Sequence, residues 1–375
     1  MKKRKNQKID FYSMVGYCPA NLIINQLPFT FRNLTDASDR QVILMQKRLI
    51  DFLAKKIFKL PKTAAGFILH SGTESNETAL LLAKRKTKKN LVITSNISHT
   101  SIDNACKKLG LNLIKLEVDP VSFKVEATDL EKVIKKYGSQ VAAINITYGT
   151  TKLGTGEDFV YTPKLEKICR QKKIWLHLDG AYGGLIFNLL GNQNREWQNS
   201  GLATSITVDP HKFIGILGCG VLLLTNPKDK RFIGTESDYF SGITTALGTT
   251  RSALPLATVL AMINSLGLVG LKKLAWCCHQ KALDIANKLE KNGLTFITPI
   301  ESGVIPIQLK SAEEVDLISQ KLLGKGFKVS PVNIVTKNKK IFGIRIVITP
   351  KLEMNQKNLS NFTNSLIKIY KQLKK

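Results

Sequence analysis

The chain has 375 residues, 43% of them hydrophobic, which excludes a wholly disordered polymer and fits two domains, or one large domain with a smaller companion. Lys and Arg number 56 against 28 Asp and Glu, a formal charge of +28. Such an excess attracts nucleic acid or anionic surfaces, but the lysines are scattered, no aromatics are interleaved and no nucleic-acid motif accompanies them, so lysine-rich helix surfaces are the simpler reading.

Residues 1–55 read as an N-terminal arm followed by the start of a helix running from Asp39 to Phe58. The opening run Met1-Lys2-Lys3-Arg4-Lys5 lacks the apolar segment of a signal peptide and reads as a solvated tail. Cysteines at 18, 106, 169, 219, 277 and 278 form neither C-x-x-C pairs nor a secreted disulfide pattern, so a reducing, cytoplasmic compartment is expected and no metal site is.

Residues 56–255 read as the large domain. Strands are expected at Gly66–Leu69, Leu91–Thr94, Leu113–Val118, Val141–Thr147, Ile174–Leu178, Ser205–Val208 and Val221–Leu224. Helices are expected between them at Glu74–Lys86, Ser101–Leu109, Thr128–Tyr137 and Pro163–Gln171. That alternation predicts an α/β fold with a mostly parallel sheet covered on both faces. Ser252 to Leu271 is twenty residues without a charge, long enough to span a bilayer. It contains Pro255 and Asn264, however, and a buried helix joining two domains explains it without a membrane. Residues 256–375 read as a smaller α+β domain with an amphipathic helix at Ala282–Leu289, strands near Val304–Ile307, Phe327–Val329 and Ile344–Ile348, and helices at Glu313–Leu323 and Gln356–Leu373.

Ligands of open α/β sheets bind at the carboxyl ends of the strands, so the residues that follow each strand are the candidates. After the first come Ser71-Gly72-Thr73-Glu74, a helix start with capping-box spacing that suits a phosphate and equally suits an ordinary cap. After the second comes His99, which alone is most simply a satisfied polar residue. Asp179-Gly180-Ala181 follows another strand; a buried carboxylate needs a cation or several hydrogen bonds. Asp209-Pro210-His211-Lys212 follows the next, where desolvation would free the amine of Lys212 as a nucleophile. A phosphate cradle, an imidazole, an acid and a lysine at successive strand ends match the needs of pyridoxal 5'-phosphate.

These segments, with Thr147-Tyr148-Gly149-Thr150-Thr151, Gly218-Cys219-Gly220 and Gly248-Thr249-Thr250-Arg251-Ser252, resemble those of the group II pyridoxal-dependent decarboxylases, most closely the archaeal tyrosine/aspartate decarboxylase branch. The resemblance runs from about Asn33 to the C-terminus, although Gly72 stands alone where relatives carry a glycine pair and the arm diverges up to about Asp36. It implies the aspartate-aminotransferase fold (type I) in a homodimer with active sites at the subunit interface. Lys212 would form the cofactor aldimine, Asp179 would pair with the pyridinium, Ala181 would pack under the ring and His99 would stack on it. Ser71, Gly72, Thr73 and His211 would serve the phosphate, Thr150 would lie near the ring, and Thr249 would reach the partner's phosphate. Tyr239 or His99 would return the proton, and Arg345 is a candidate for a substrate carboxylate, with a surface salt bridge as the alternative. The expected reaction is α-decarboxylation of an L-amino acid of the tyrosine, aspartate or glutamate class. Two rivals stand beside it: carbon–carbon or carbon–sulfur lysis with the same cofactor, and an inactive homologue whose basic surface binds RNA or scaffolds an assembly.

Overall fold

A computed structural model describes residues 9–10, 17–35, 38–191, 195–233, 235–236, 243–244, 250–353 and 356–374. Its main sheet has seven strands in the order Ala65–Leu69, Gly220–Leu224, Ser205–Val208, Trp175–Asp179, Val141–Thr147, Leu91–Ser95, Asn112–Leu116. Only Gly220–Leu224 runs against its two neighbours; every other pair is parallel. Leu91–Ser95 and Val141–Thr147 are buried along their whole length, which is why they read as continuous apolar runs and not as alternating ones.

The helices between the strands start and stop where local chemistry directs. Ser71 caps Gly72–Thr87, Thr162 caps Pro163–Gln171 with a proline at its first position, and Gly110 at φ 61° ends Thr100–Leu109. The helix Gly183–Leu190 was not expected from the pattern. Apart from Asn188 it is apolar, and it is buried at Leu185, Ile186, Phe187 and Leu189, so no polar face marks its period. The uncharged segment and the amphipathic one after it form a single helix, Leu254–Glu290, bent at Gly267, where φ 60° and ψ −177° interrupt the helical backbone. Among the described residues this is the one helix long and apolar enough to cross a membrane. Its first turns bury Leu256, Ala257, Val259 and Leu260 in the core.

The C-terminal part forms a four-stranded antiparallel sheet, Thr295–Phe296, Val304–Leu309, Lys340–Val347, Ser330–Val335, with the helices Ala312–Gly324 and Gln356–Leu373. The arm returns to the large sheet: Tyr17 bridges Ile214, and Asn33 bridges Ser252. It therefore passes beside the segment that carries Lys212.

Candidate active site

The carboxyl ends of five strands open on one narrow cleft. Leu69 leads through the cap Ser71 into a helix whose first residues, Gly72 and Thr73, line the cleft with their N–H groups outside the helix's own bonding. Ser71 Oγ accepts from Glu74 N at 3.4 Å, and Glu74 Oε2 accepts from His70 N at 2.7 Å, so the expected capping box forms one residue displaced. Arg251 Nη1 closes on the same Glu74 oxygen at 2.9 Å.

His99 is the N-cap of Thr100–Leu109, its Nδ1 accepting from Ser101 N at 3.1 Å. That bond leaves the neutral ring's proton on Nε2. Burial holds the imidazole below its ordinary pKa, while Asp179 pulls the other way. Asp179 is 3% exposed; Oδ1 accepts from Ala181 N at 3.2 Å and Oδ2 from Asn76 Nδ2 at 2.9 Å. Thr147, its register partner on the next strand, also lines the cleft, followed by Gly149 and Thr151. Gly149, at φ 89°, lets its turn close on Gly183: a Cβ there would sit 2.3 Å from Gly183 Cα.

Lys212 ends a 3-10 turn, Pro210–Lys212, and its Nζ lies 3.1 Å from Asp209 Oδ2. Asp209 is 2% exposed, and its Oδ1 is buried without a hydrogen-bond partner. Lys212 and Tyr182 also line a second, very small pocket beside Phe213, Cys278 and Ile348.

A lysine, an acid, an imidazole and a helix start thus share one cleft. The profile of the pyridoxal-dependent decarboxylase conserved domain matches residues 8–307. The chain belongs to the pyridoxal-dependent decarboxylase family. It is 26% identical over 317 residues to a probable L-aspartate decarboxylase of Archaeoglobus fulgidus, covering 83% of this chain and 81% of that one. It is 28% identical over 327 residues to the L-tyrosine/L-aspartate decarboxylase of Methanocaldococcus jannaschii, covering 81% and 78%. Among solved structures, Lactobacillus brevis glutamate decarboxylase superposes with a TM-score of 0.86 at 16% identity, covering 99% of this chain and 90% of that one. The Oryza sativa TDC solved with PLP and tryptamine gives 0.81 at 14%, covering 97% and 83%. The expected α/β decarboxylase fold is borne out, and with it a PLP-dependent amino-acid decarboxylase.

The decarboxylase's residues suit pyridoxal phosphate. Lys212 provides an amine, and Asp209 Oδ1 leaves a buried acceptor open beside it. Asp179 receives donors only, and the amides of Gly72 and Thr73 form an anion seat. Ala181 lines the cleft as expected. Other expected residues stand back from it. Ser71 Oγ is spent on its cap, and His211 Nδ1 donates to the Cys219 carbonyl at 2.7 Å. The Thr150 hydroxyl pairs with Thr155 at 3.0 Å, while its neighbours Gly149 and Thr151 face the cleft. Arg345 reaches from the small sheet to the Thr151 carbonyl, with its Nε buried and unpartnered, so it is no surface salt bridge. Tyr239 and Thr249 lie outside the described residues. Sequence reasoning gave no role to Asn76 and Ser101, nor to Asp209, which stands inside a quoted motif; Thr147, Thr151 and Tyr182, at or just past strand ends, also line the cleft.

Proposed function

We propose that the chain releases the α-carboxylate of an L-amino acid as carbon dioxide with Lys212 holding pyridoxal phosphate, and that its substrate comes from the aspartate, tyrosine and glutamate class, an acidic side chain fitting best. The observation that carries this reading is the convergence of Lys212, Asp179, His99 and the helix start at Gly72 and Thr73 on one cleft. When bound, pyridoxal phosphate supplies the electron sink for the breaking carbon–carboxylate bond. Lys212 would hold the cofactor through its aldehyde. Asp179 retains a proton at the ring nitrogen, and Gly72 and Thr73 bind the phosphate. His99, with its proton on Nε2 and its side lining the cleft, would return one to the α-carbon.

The acidic preference rests on two cations on the small-sheet side. Arg345 meets Thr151, and Lys152 Nζ donates to the Asn333 carbonyl at 3.1 Å. Among the described residues neither forms an ion pair with a carboxylate. Burial, with Lys115 and Arg345 nearby, lowers the Lys152 pKa, an electrostatic cost that an anion bound beside it would offset. The test is to incubate the cofactor-loaded protein with L-aspartate, L-glutamate and L-tyrosine and to follow carbon dioxide and the product amine. Carbon dioxide from aspartate or glutamate is expected. Tyrosine as sole substrate would overturn the acidic preference, and sulfide or aldehyde in place of carbon dioxide would overturn the reaction.

A homodimer is part of the proposal. Ile24, Leu27 and Phe31 of the arm, Leu44 of the helix Arg40–Asp51, and Val269 and Trp276 of the long helix are exposed, and the arm and that helix both pack against the long one. A second copy would cover such apolar surface. Light scattering that gives one chain mass would overturn it.

A further inference from the structure

Behind Asp179 and His99 lie buried polar residues to which the reaction above assigns nothing: Asn76 at 1% exposure, and His177 and Ser205 at 0%. They are joined in one line. Asn76 Nδ2 is 2.9 Å from Asp179 Oδ2 and 2.9 Å from Ser101 Oγ. Ser101 Oγ is in turn 2.9 Å from His99 Nδ1. On the far side, Asn76 Oδ1 is 3.0 Å from His177 Nε2, His177 Nδ1 is 2.8 Å from Ser205 Oγ, and Ser205 Oγ accepts from Trp175 Nε1 at 2.7 Å.

The donors and acceptors of this line have one consistent direction. A carboxylate only accepts, so the Asn76 amide must turn its NH2 toward Asp179, which leaves its oxygen for His177. That oxygen requires a proton on His177 Nε2, and Nδ1 then accepts from the Ser205 hydroxyl. Burial pushes the His177 pKa down to about 4, so the ring is neutral and keeps this tautomer. The second N–H of Asn76 meets Ser101, whose backbone N–H already sets His99 Nδ1 as an acceptor.

We infer that Asn76 is a positioning residue that couples the two cofactor-facing groups, one amide presenting a donor to Asp179 and, through Ser101 Oγ, steadying the orientation of His99. The inference rests on the reading that Asp179 and His99 face the cofactor. It extends to His177, which orients the amide from behind and touches neither group's working side. Losing Asn76 leaves Asp179 with the Ala181 N–H and removes the donor that holds Ser101 Oγ against His99 Nδ1.

The experiment uses the full chain loaded with pyridoxal phosphate labelled with ¹⁵N in its ring. Ring-nitrogen shift, kcat and KM are measured for Asn76→Asp, Ser101→Ala, Ser101→Thr and the double variant Asn76→Asp/Ser101→Ala. Asn76→Asp keeps the volume and sets a second carboxylate against Asp179. It is expected to move the nitrogen shift and to lower kcat about tenfold or more, with KM within about threefold. Ser101→Ala is expected to lower kcat without moving the nitrogen shift, Ser101→Thr to restore it, and the double variant to lose less than the product of the two single losses. A wild-type nitrogen shift in Asn76→Asp, or single losses that simply multiply, overturns the coupling. Should Asn76→Asp fail to fold, the Ser101 pair decides: equal kcat in Ala, Thr and wild type overturns it. Borohydride treatment of the wild type, with a mass label on the Lys212 peptide, separates the two failures, because a wild type without that label fails the cofactor reading itself.

Discussion

Gly72 faces Asp209 so closely that a methyl group on it would lie 2.6 Å from the carboxylate oxygen and 2.9 Å from Ala181 Cβ. The helix start that would seat the phosphate is thus pressed onto the segment bearing Lys212 and onto the residue that would underlie the ring. Gly72→Ala must push these apart, at a cost of about 1–3 kcal/mol. The expected outcome is a cofactor dissociation constant raised about tenfold or more in a protein that still folds. Unchanged affinity by fluorescence titration would show that the phosphate sits elsewhere.

Lys212→Ala removes the amine. Covalent capture of pyridoxal phosphate should vanish, and with it the visible absorbance of the loaded protein. Turnover should fall on the order of a thousandfold. A persisting band in the variant would move the anchor to another lysine.

Arg345→Lys keeps the charge but loses the planar fork that reaches Thr151. KM for the substrate is expected to rise roughly tenfold, while cofactor affinity stays at the wild-type value. Steady-state kinetics beside a cofactor titration checks this, and an equal loss in both would make Arg345 structural.

The pH dependence of stability has two opposed parts. The His177 pKa, about 4 in the folded chain, lies below its value near 6.5 when unfolded, so between these values the unfolded chain binds the extra proton. Its contribution is complete above pH 6.5 and is lost as pH falls toward 4. Glu157 and Asp158 are raised by burial to about 8 and about 7, so their contribution is complete at low pH and is lost as pH rises through those values. The stability advantage of wild type over His177→Gln should therefore shrink between pH 6.5 and 4, by on the order of 3 kcal/mol. Its advantage over Glu157→Gln should shrink as pH climbs from about 4 to about 8 and level off beyond. Urea midpoints across pH 4 to 9 measure both, and parallel curves for wild type and His177→Gln would mean that His177 titrates normally.

Much of this was legible in the chain before its fold was known. Val141–Thr147 and Ser205–Val208 were bounded correctly because apolar runs between turn residues carry their own limits. Asp179, His99 and Lys212 could be placed because each follows such a run. What stayed hidden depends on contacts distant in sequence. Asn76 reaches Asp179 across 103 residues, and no local pattern announces that bond. Thr150 was preferred to Thr151 because nothing in a Gly-Thr-Thr run tells which hydroxyl turns inward; the pairing with Thr155 decides it. The long helix was read as two segments because its charged residues Lys272 and Lys273 end the apolar stretch; the helical backbone does break, but earlier, at Gly267, where no charge marks it.

The seven-stranded sheet supplies the lysine, the acid, the imidazole and the phosphate seat, whereas Arg345 arrives from the strand Lys340–Val347 of the separate four-stranded sheet. On the proposed reading, the cofactor-facing groups and Arg345 would be inherited on different pieces of the chain. Substitutions confined to that one strand and its neighbours would then bear on which amino acid is taken while the chemical core is passed on intact. A common catalytic frame can in this way serve descendants with different diets.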